Sequence, residues 1–145
     1  MLEYALTNYF ASDTVLMSYL YSTFSIYISQ APTTAKMPWM IVSAGGGSRN
    51  RITKNRIEDI NTVRIVVDFP ATQADSIRGR NAIERAKYLV ENYRGDMGNN
   101  ANTSHNAYDV YITCTAIEDI PGSSGTYRYQ FSAKIRSIET VTRPV

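Results

Sequence analysis

DVYITCTAIEDIPGSSGTYRYQFSAKIRSIE, residues 109–139, alternates apolar and polar positions on both sides of a Pro-Gly-Ser turn. Tyr108, Val110, Ile112, Cys114 and Ala116 fall two residues apart, so they share one face of an extended strand. The IPGSSG run from Ile120 to Gly125 reverses the chain. On the returning strand Tyr127, Tyr129, Phe131, Ala133 and Ile135 share a face, and Arg128, Gln130, Lys134 and Arg136 occupy the other. At about 3.3 Å per residue that last strand reaches roughly 40 Å, well beyond the usual five or six residues. It must either bend or project towards another subunit.

Working back from the hairpin, Asp75 to Tyr93 carries the best helical pattern, with Ala82, Ile83, Ala86, Leu89, Val90 and Tyr93 on one face. Thr72 and Asp75 are candidate caps, and Gly95 can close the helix. The polar run from Gly95 to Asn106 is expected to be a flexible connection. Before the helix, Val63, Ile65, Val67 and Phe69 alternate with Arg64, Val66 and Asp68, a half-buried strand ending at Pro70. Gly45 to Asn61 is rich in glycine, asparagine and arginine without a sustained apolar period, and is expected to be a long functional loop. Trp39–Ala44 reads as an apolar strand, and Phe24–Ile28 as a short one stopped by Pro32. Leu2, Ala5, Leu6 and Tyr9 trace a first helix. Asp13 can cap a second, with Leu16, Met17 and Leu20 buried. The order of helices, strands, helix and hairpin predicts an α+β fold, a mainly antiparallel sheet with helices packed on one face. At 145 residues, 1–145 is expected to form a single domain.

Composition removes several function classes. A net charge of +2 is too small to announce a nucleic-acid or membrane partner. No apolar run approaches the roughly 20 residues that span a bilayer, and Glu3 stands where a signal peptide carries positive charge. Cys114 is the only cysteine and His105 the only histidine, so neither an internal disulfide nor a protein-built zinc site is expected. His105 lies in a polar run, where a solvated side chain is the plain reading and a catalytic base the sharper one. Cys114 falls in register with Val110 and Ile112, where a thiol behaves as a small hydrophobe. SAGGGSRNR lacks the spacing of a phosphate loop, and Glu58-Asp59 and Glu118-Asp119 have no partner base. No catalytic, cofactor or metal residues are therefore expected.

Two features point to assembly instead. Arg49, Arg51, Lys54 and Arg56 put four positive charges into eight residues. This segment could meet an acidic patch on another subunit, contact DNA phosphates non-specifically, or stay solvated. Eleven tyrosines stand against one tryptophan and four phenylalanines, and tyrosine is favoured at protein interfaces because it buries a large ring beneath a polar tip. Tyr127, Arg128 and Tyr129, at the start of the long last strand, are the second expected interface.

The order of elements and their texture carry a resemblance. IYISQAPTTAKMPWMIVSAGGG, then VRIVVDFPA leading into IRGRNAIERAKYLVENYRG, then the closing hairpin, resembles the tail terminator (tail-completion) proteins of long-tailed bacteriophages, over roughly Leu2 to Glu139. The most typical parts are Ile26 to Pro32, the Pro38-Trp39 start of a strand, and the Y-R-Y-Q-F strand. The resemblance implies a virion protein without a cofactor, assembled in the host cytoplasm into a six-fold ring. Such a ring stacks on the tail tube, halts its polymerisation and presents the surface joined to the filled head. The implied partners are further copies of the chain, the tail tube protein, head-tail connector or neck proteins, and DNA passing through the lumen.

Overall fold

The computed structural model describes residues 2–22, 25–51, 56–93, 95–99, 103–107, 112–121 and 125–141. The elements in order are α1 (Leu2–Ala11), α2 (Thr14–Tyr19), β1 (Ile26–Ile28), β2 (Trp39–Arg51), β3 (Arg56–Pro70), α3 (Gln73–Glu91), β4 (Gly95–Asn99), β5 (Thr103–Ala107), β6 (Ile112–Cys114), β7 (Glu118–Pro121) and β8 (Thr126–Val141). The strands form one sheet in the order β1-β2-β3-β8-β5-β4, with β6 and β7 also paired to β8. β1 runs parallel to β2, and every other pairing is antiparallel. The fold is α+β, as the sequence predicts.

β3 and β8 form the central ladder. Each residue from Arg56 to Pro70 pairs with one from Thr140 down to Thr126, without a break in register. The far edge of β8 is shared in succession by β7 at Tyr127–Gln130, β6 at Ala133–Ile135 and β5 at Ile138–Val141. Alternation then sorts the side chains. Met40, Val42, Val63, Ile65, Val67, Phe69, Phe131, Ala133 and Ile135 join Leu6, Phe10, Leu16, Ala82, Ile83, Ala86 and Val90 in one buried cluster under the helices.

Local chemistry sets the helix positions. Asp13 caps α2, accepting the Leu16 N–H at 2.8 Å, while Arg85 of α3 donates to both its carboxylate oxygens at 3.0 and 2.9 Å. Thr72 caps α3 through the Asp75 N–H. Gly79 faces the sheet, where a Cβ would lie 2.4 Å from Cδ1 of Phe69, so only glycine lets the helix backbone approach that ring.

Several expectations are corrected. The long loop expected from Gly45 to Asn61 is mostly paired strand: β2 continues to Arg51 and β3 begins at Arg56, from Gly47↔Asn61 to Arg51↔Ile57. These residues pair through the backbone ladder, which needs no apolar face, and a bulge between Ala44 and Gly47 absorbs the glycines. The connection expected from Gly95 to Asn106 contains the pair β4 and β5 for the same reason. The strand expected from Tyr108 to Ala116 is observed only as Ile112–Cys114, since Tyr108 to Tyr111 lie outside the described residues. The first strand begins at Ile26, and Phe24 likewise lies outside them. The last strand is matched by β3 from Thr126 to Thr140, and Val141, among the described residues, pairs only with Thr103 of β5.

Two outcomes test this packing. Gly79→Ala should lower stability by about 1–3 kcal/mol, read as a lower urea midpoint with unchanged slope, because overpacking outweighs the gain in helix propensity. The Arg85 hydrogen bonds hold the Asp13 carboxyl below its usual range. Its contribution to stability is therefore complete above the unfolded-state value of about 4 and is lost as pH falls through the lower folded value. Asp13→Asn should flatten the acid limb of the stability–pH curve, measured by urea titrations; an unchanged limb would refute the coupling.

Candidate assembly interface

The sheet face opposite the helices carries the paired, buried Ile41 and Val66 together with polar side chains that cross-link the strands. Trp39, Asp68 and Arg128 stand side by side on β2, β3 and β8. Arg128 donates from Nε to Oδ1 of Asp68 at 2.7 Å and from Nη2 to Oδ2 at 3.0 Å, and the Trp39 indole N–H donates to Oδ2 at 2.8 Å. Asp68 is 8% exposed, so its charge is both desolvated and fully engaged. The carboxylate in turn raises the pKa of the Arg128 guanidinium. Further along the face, Gln130 donates to Glu118 at 3.2 Å, and Arg136 donates to Glu58 at 3.0 and 2.6 Å. Arg64 and Lys134 are exposed between these two sets.

At the end of the sheet where β3 leaves and β8 begins lies a groove of about 290 Å³, bounded by Phe69, Thr72, Ser76, Asp119, Tyr127 and Tyr129. Its wall is aromatic. Phe69 stacks with Tyr129 at 4.8 Å between ring centres and with Tyr127 at 6.2 Å. Tyr127 is 46% exposed, and the Arg80 guanidinium sits 5.5 Å from the centre of the Tyr129 ring. Glu118 and Asp119 are exposed on the neighbouring β7.

The expected interface residues fall in two places. Arg49 and Arg51 lie in β2, paired with Asp59 and Ile57, and Arg56 opens β3 opposite Thr140. Lys54 lies outside the described residues. The structure thus brings Arg49, Arg51 and Arg56 to the end of the β2–β3 hairpin. Tyr127, Arg128 and Tyr129 separate by strand alternation: the tyrosines line the groove, whereas Arg128 is on the opposite face in its bond with Asp68. Sequence reading missed the Trp39–Asp68–Arg128 cluster. Its only signal was an acid and an arginine on the outward positions of two strands, and pairing them requires the register.

No reacting group stands out among the described residues. Cys114 is half-buried and its pKa is pushed up to about 11, chiefly by desolvation, so the thiol stays protonated near neutrality. No group of three acidic, cysteine or histidine side chains is placed to hold a metal there. His105 is placed by its backbone, paired with Glu139.

No family model and no curated protein matches the sequence. Among solved structures, the chain is similar to one from the virion of a native gene transfer agent particle, with a TM-score of 0.61 and 14% sequence identity over 94% of each chain. At that identity the likeness establishes a shared fold.

Asp68→Ala strands the Arg128 charge and the Trp39 N–H, and should cost about 2–4 kcal/mol. In a double-mutant cycle, Arg128→Met on the Asp68→Ala background should cost much less than in the wild-type protein. Additive losses in chemical denaturation would refute the coupling.

Proposed function

We propose that this chain is a structural, non-enzymatic virion protein that closes the end of a tail tube. In this reading 1–145 acts as one domain. About six copies form a ring that stacks on the tail tube protein, ends tube polymerisation and presents the surface joined to head-tail connector or neck proteins. The carrying observation is the fold, shared end to end with a chain of a gene transfer agent virion. The order of sequence elements that resembles tail terminators supports the same reading.

The physics is that of geometry and surface complementarity. A closed ring needs two different patches per subunit, and the chain offers a basic hairpin end and a tyrosine-lined groove. Exposed tyrosine suits such surfaces, because its ring gives area at low entropic cost. Assembly takes place in the host cytoplasm and the working location is the virion. Contact of the basic hairpin end with DNA in the lumen would be non-specific and salt-dependent.

Light scattering on the purified protein across a range of concentrations should give a species of about six times 16.3 kDa, alone or after addition of tail tubes. Electron microscopy should show it on tube ends, with tube growth stopped. Failure to bind or cap tubes, together with binding to an isolated head connector, would replace this reading with that of another neck ring.

A further inference from the structure

The sheet face away from the helices has its charges matched towards both ends and unmatched in the middle. Arg128 is held by Asp68 on one side, and Arg136 donates to Glu58 on the other. Between these pairs β3 and β8 carry Arg64 and Lys134, both exposed, and among the described residues neither has an ion-pair or hydrogen-bond partner. Arg64 stands opposite Ser132 and Lys134 opposite Thr62, which makes the two cations diagonal neighbours about 7–8 Å apart at their backbones. Ser43 lies beside Arg64 on β2, and the Ser132 N–H donates to the Thr115 hydroxyl at 2.9 Å on the far side. The band thus combines two cations with the hydroxyls of Ser43, Thr62, Thr115 and Ser132, and no acid stands among them. Glu118, on the rim, accepts from Gln130. A whole-chain charge of +2 gives no hint of this local excess.

We propose that this band binds the sugar-phosphate backbone of duplex DNA, with Arg64 and Lys134 each meeting a phosphate and the flanking hydroxyls donating to phosphate oxygens. The occupant follows from what the band offers. Cations and the hydroxyls of serine and threonine are the donors that phosphate oxygens accept, and such contacts carry no sequence information. Duplex DNA places one charge every 3.4 Å or so, about half the spacing of the two cations, along each strand, so Arg64 and Lys134 reach separate phosphates. A protein partner would need apolar surface at the centre of its contact, but Ile41 and Val66, the apolar pair of this face, are already buried. A single strand would need open rings to stack on, and the aromatic side chains beside that pair, Tyr27 and Trp39, are half-buried, with the Trp39 indole tied to Asp68. Two phosphate contacts per copy make a weak, salt-sensitive site, and copies joined in a ring multiply it without new chemistry. The inference uses the ring reading above only for that multiplication.

The test is fluorescence anisotropy of the full chain with labelled duplexes of two unrelated sequences, over a salt series that starts from low salt. The wild type should bind both duplexes alike, with affinity falling as salt rises. Arg64→Gln and Lys134→Gln should each lower the slope of log affinity against log salt by about one, and the two together by about two. Both side chains are exposed and make no contact that holds the fold among the described residues, so circular dichroism and thermal midpoints should match the wild type. Arg80→Gln removes the same charge from the outer side of α3 and should leave the slope unchanged. The proposal is overturned if the wild type binds no duplex at the lowest salt, if the double variant keeps the wild-type slope, or if Arg80→Gln lowers the slope as much as either band variant. Displacement of the duplex by polyglutamate at equal charge concentration would overturn it in favour of an acidic protein partner. The expected slopes in a chain that caps no tail tubes would overturn the ring reading and leave this contact standing; capping of tubes with no change of slope in the double variant would do the reverse.

Discussion

The unbroken antiparallel ladder between β3 and β8 is the constraint on which the rest of the structure depends. Because β3 pairs through its whole length, the register of β8 fixes which side chains meet the helices and which meet the open face. A slip of one residue would send Phe131, Ala133 and Ile135 outward and bring Arg128, Gln130 and Lys134 beneath the helices. Two ion pairs on the open face oppose that slip. Arg128–Asp68 joins the strands near one end and Arg136–Glu58 near the other. The first is the more buried of the two, with side chains 32% and 11% exposed, and the indole of Trp39 extends it to β2.

The helix layer is fitted to this sheet by a few directional contacts and one missing side chain. Gly79 lets α3 approach Phe69, and the same ring then stacks on Tyr129 and Tyr127 to make the wall of the groove. Packing in the interior and the shape of the exposed surface are thus coupled through a single phenylalanine. At the other end of α3, the Tyr9 hydroxyl donates to the Leu89 carbonyl at 3.0 Å, tying α1 to α3, while Asp13 and Arg85 tie α2 to it. Each tie satisfies a polar group that the packing would otherwise strand.

Elements with an apolar face were legible in the sequence. The face of α3 made by Ala82, Ile83, Ala86 and Val90, the cap at Asp13 and the alternation of Phe131–Ile135 appear where spacing places them, whereas β3, expected to be half-buried, is enclosed on both faces from Ile65 to Phe69, with Val66 and Asp68 buried as well. The polar half of the sheet was not legible. Residues 47–51 and 56–61 pair through backbone groups that every residue carries, so composition records no alternation there and glycine with asparagine reads as loop. The candidate site divides along the same line. Tyr127 and Tyr129 could be read as one face, but the groove needs Phe69, Thr72 and Asp119 brought in by register and by the turn into α3. The partnership of Asp68 with Arg128 spans 60 positions, and no local pattern announces it.

The polar end of the sheet also leaves a strand edge that has to be managed. From Ser43 to Arg51, no strand pairs with the outer edge of β2 among the described residues, since β1 reaches only Met40 to Val42. An open edge of that length is an invitation to unwanted pairing, and proteins blunt such edges with bulges and charge. Both devices are present, as the break in register between Ala44 and Gly47 and as Arg49 and Arg51 within the strand.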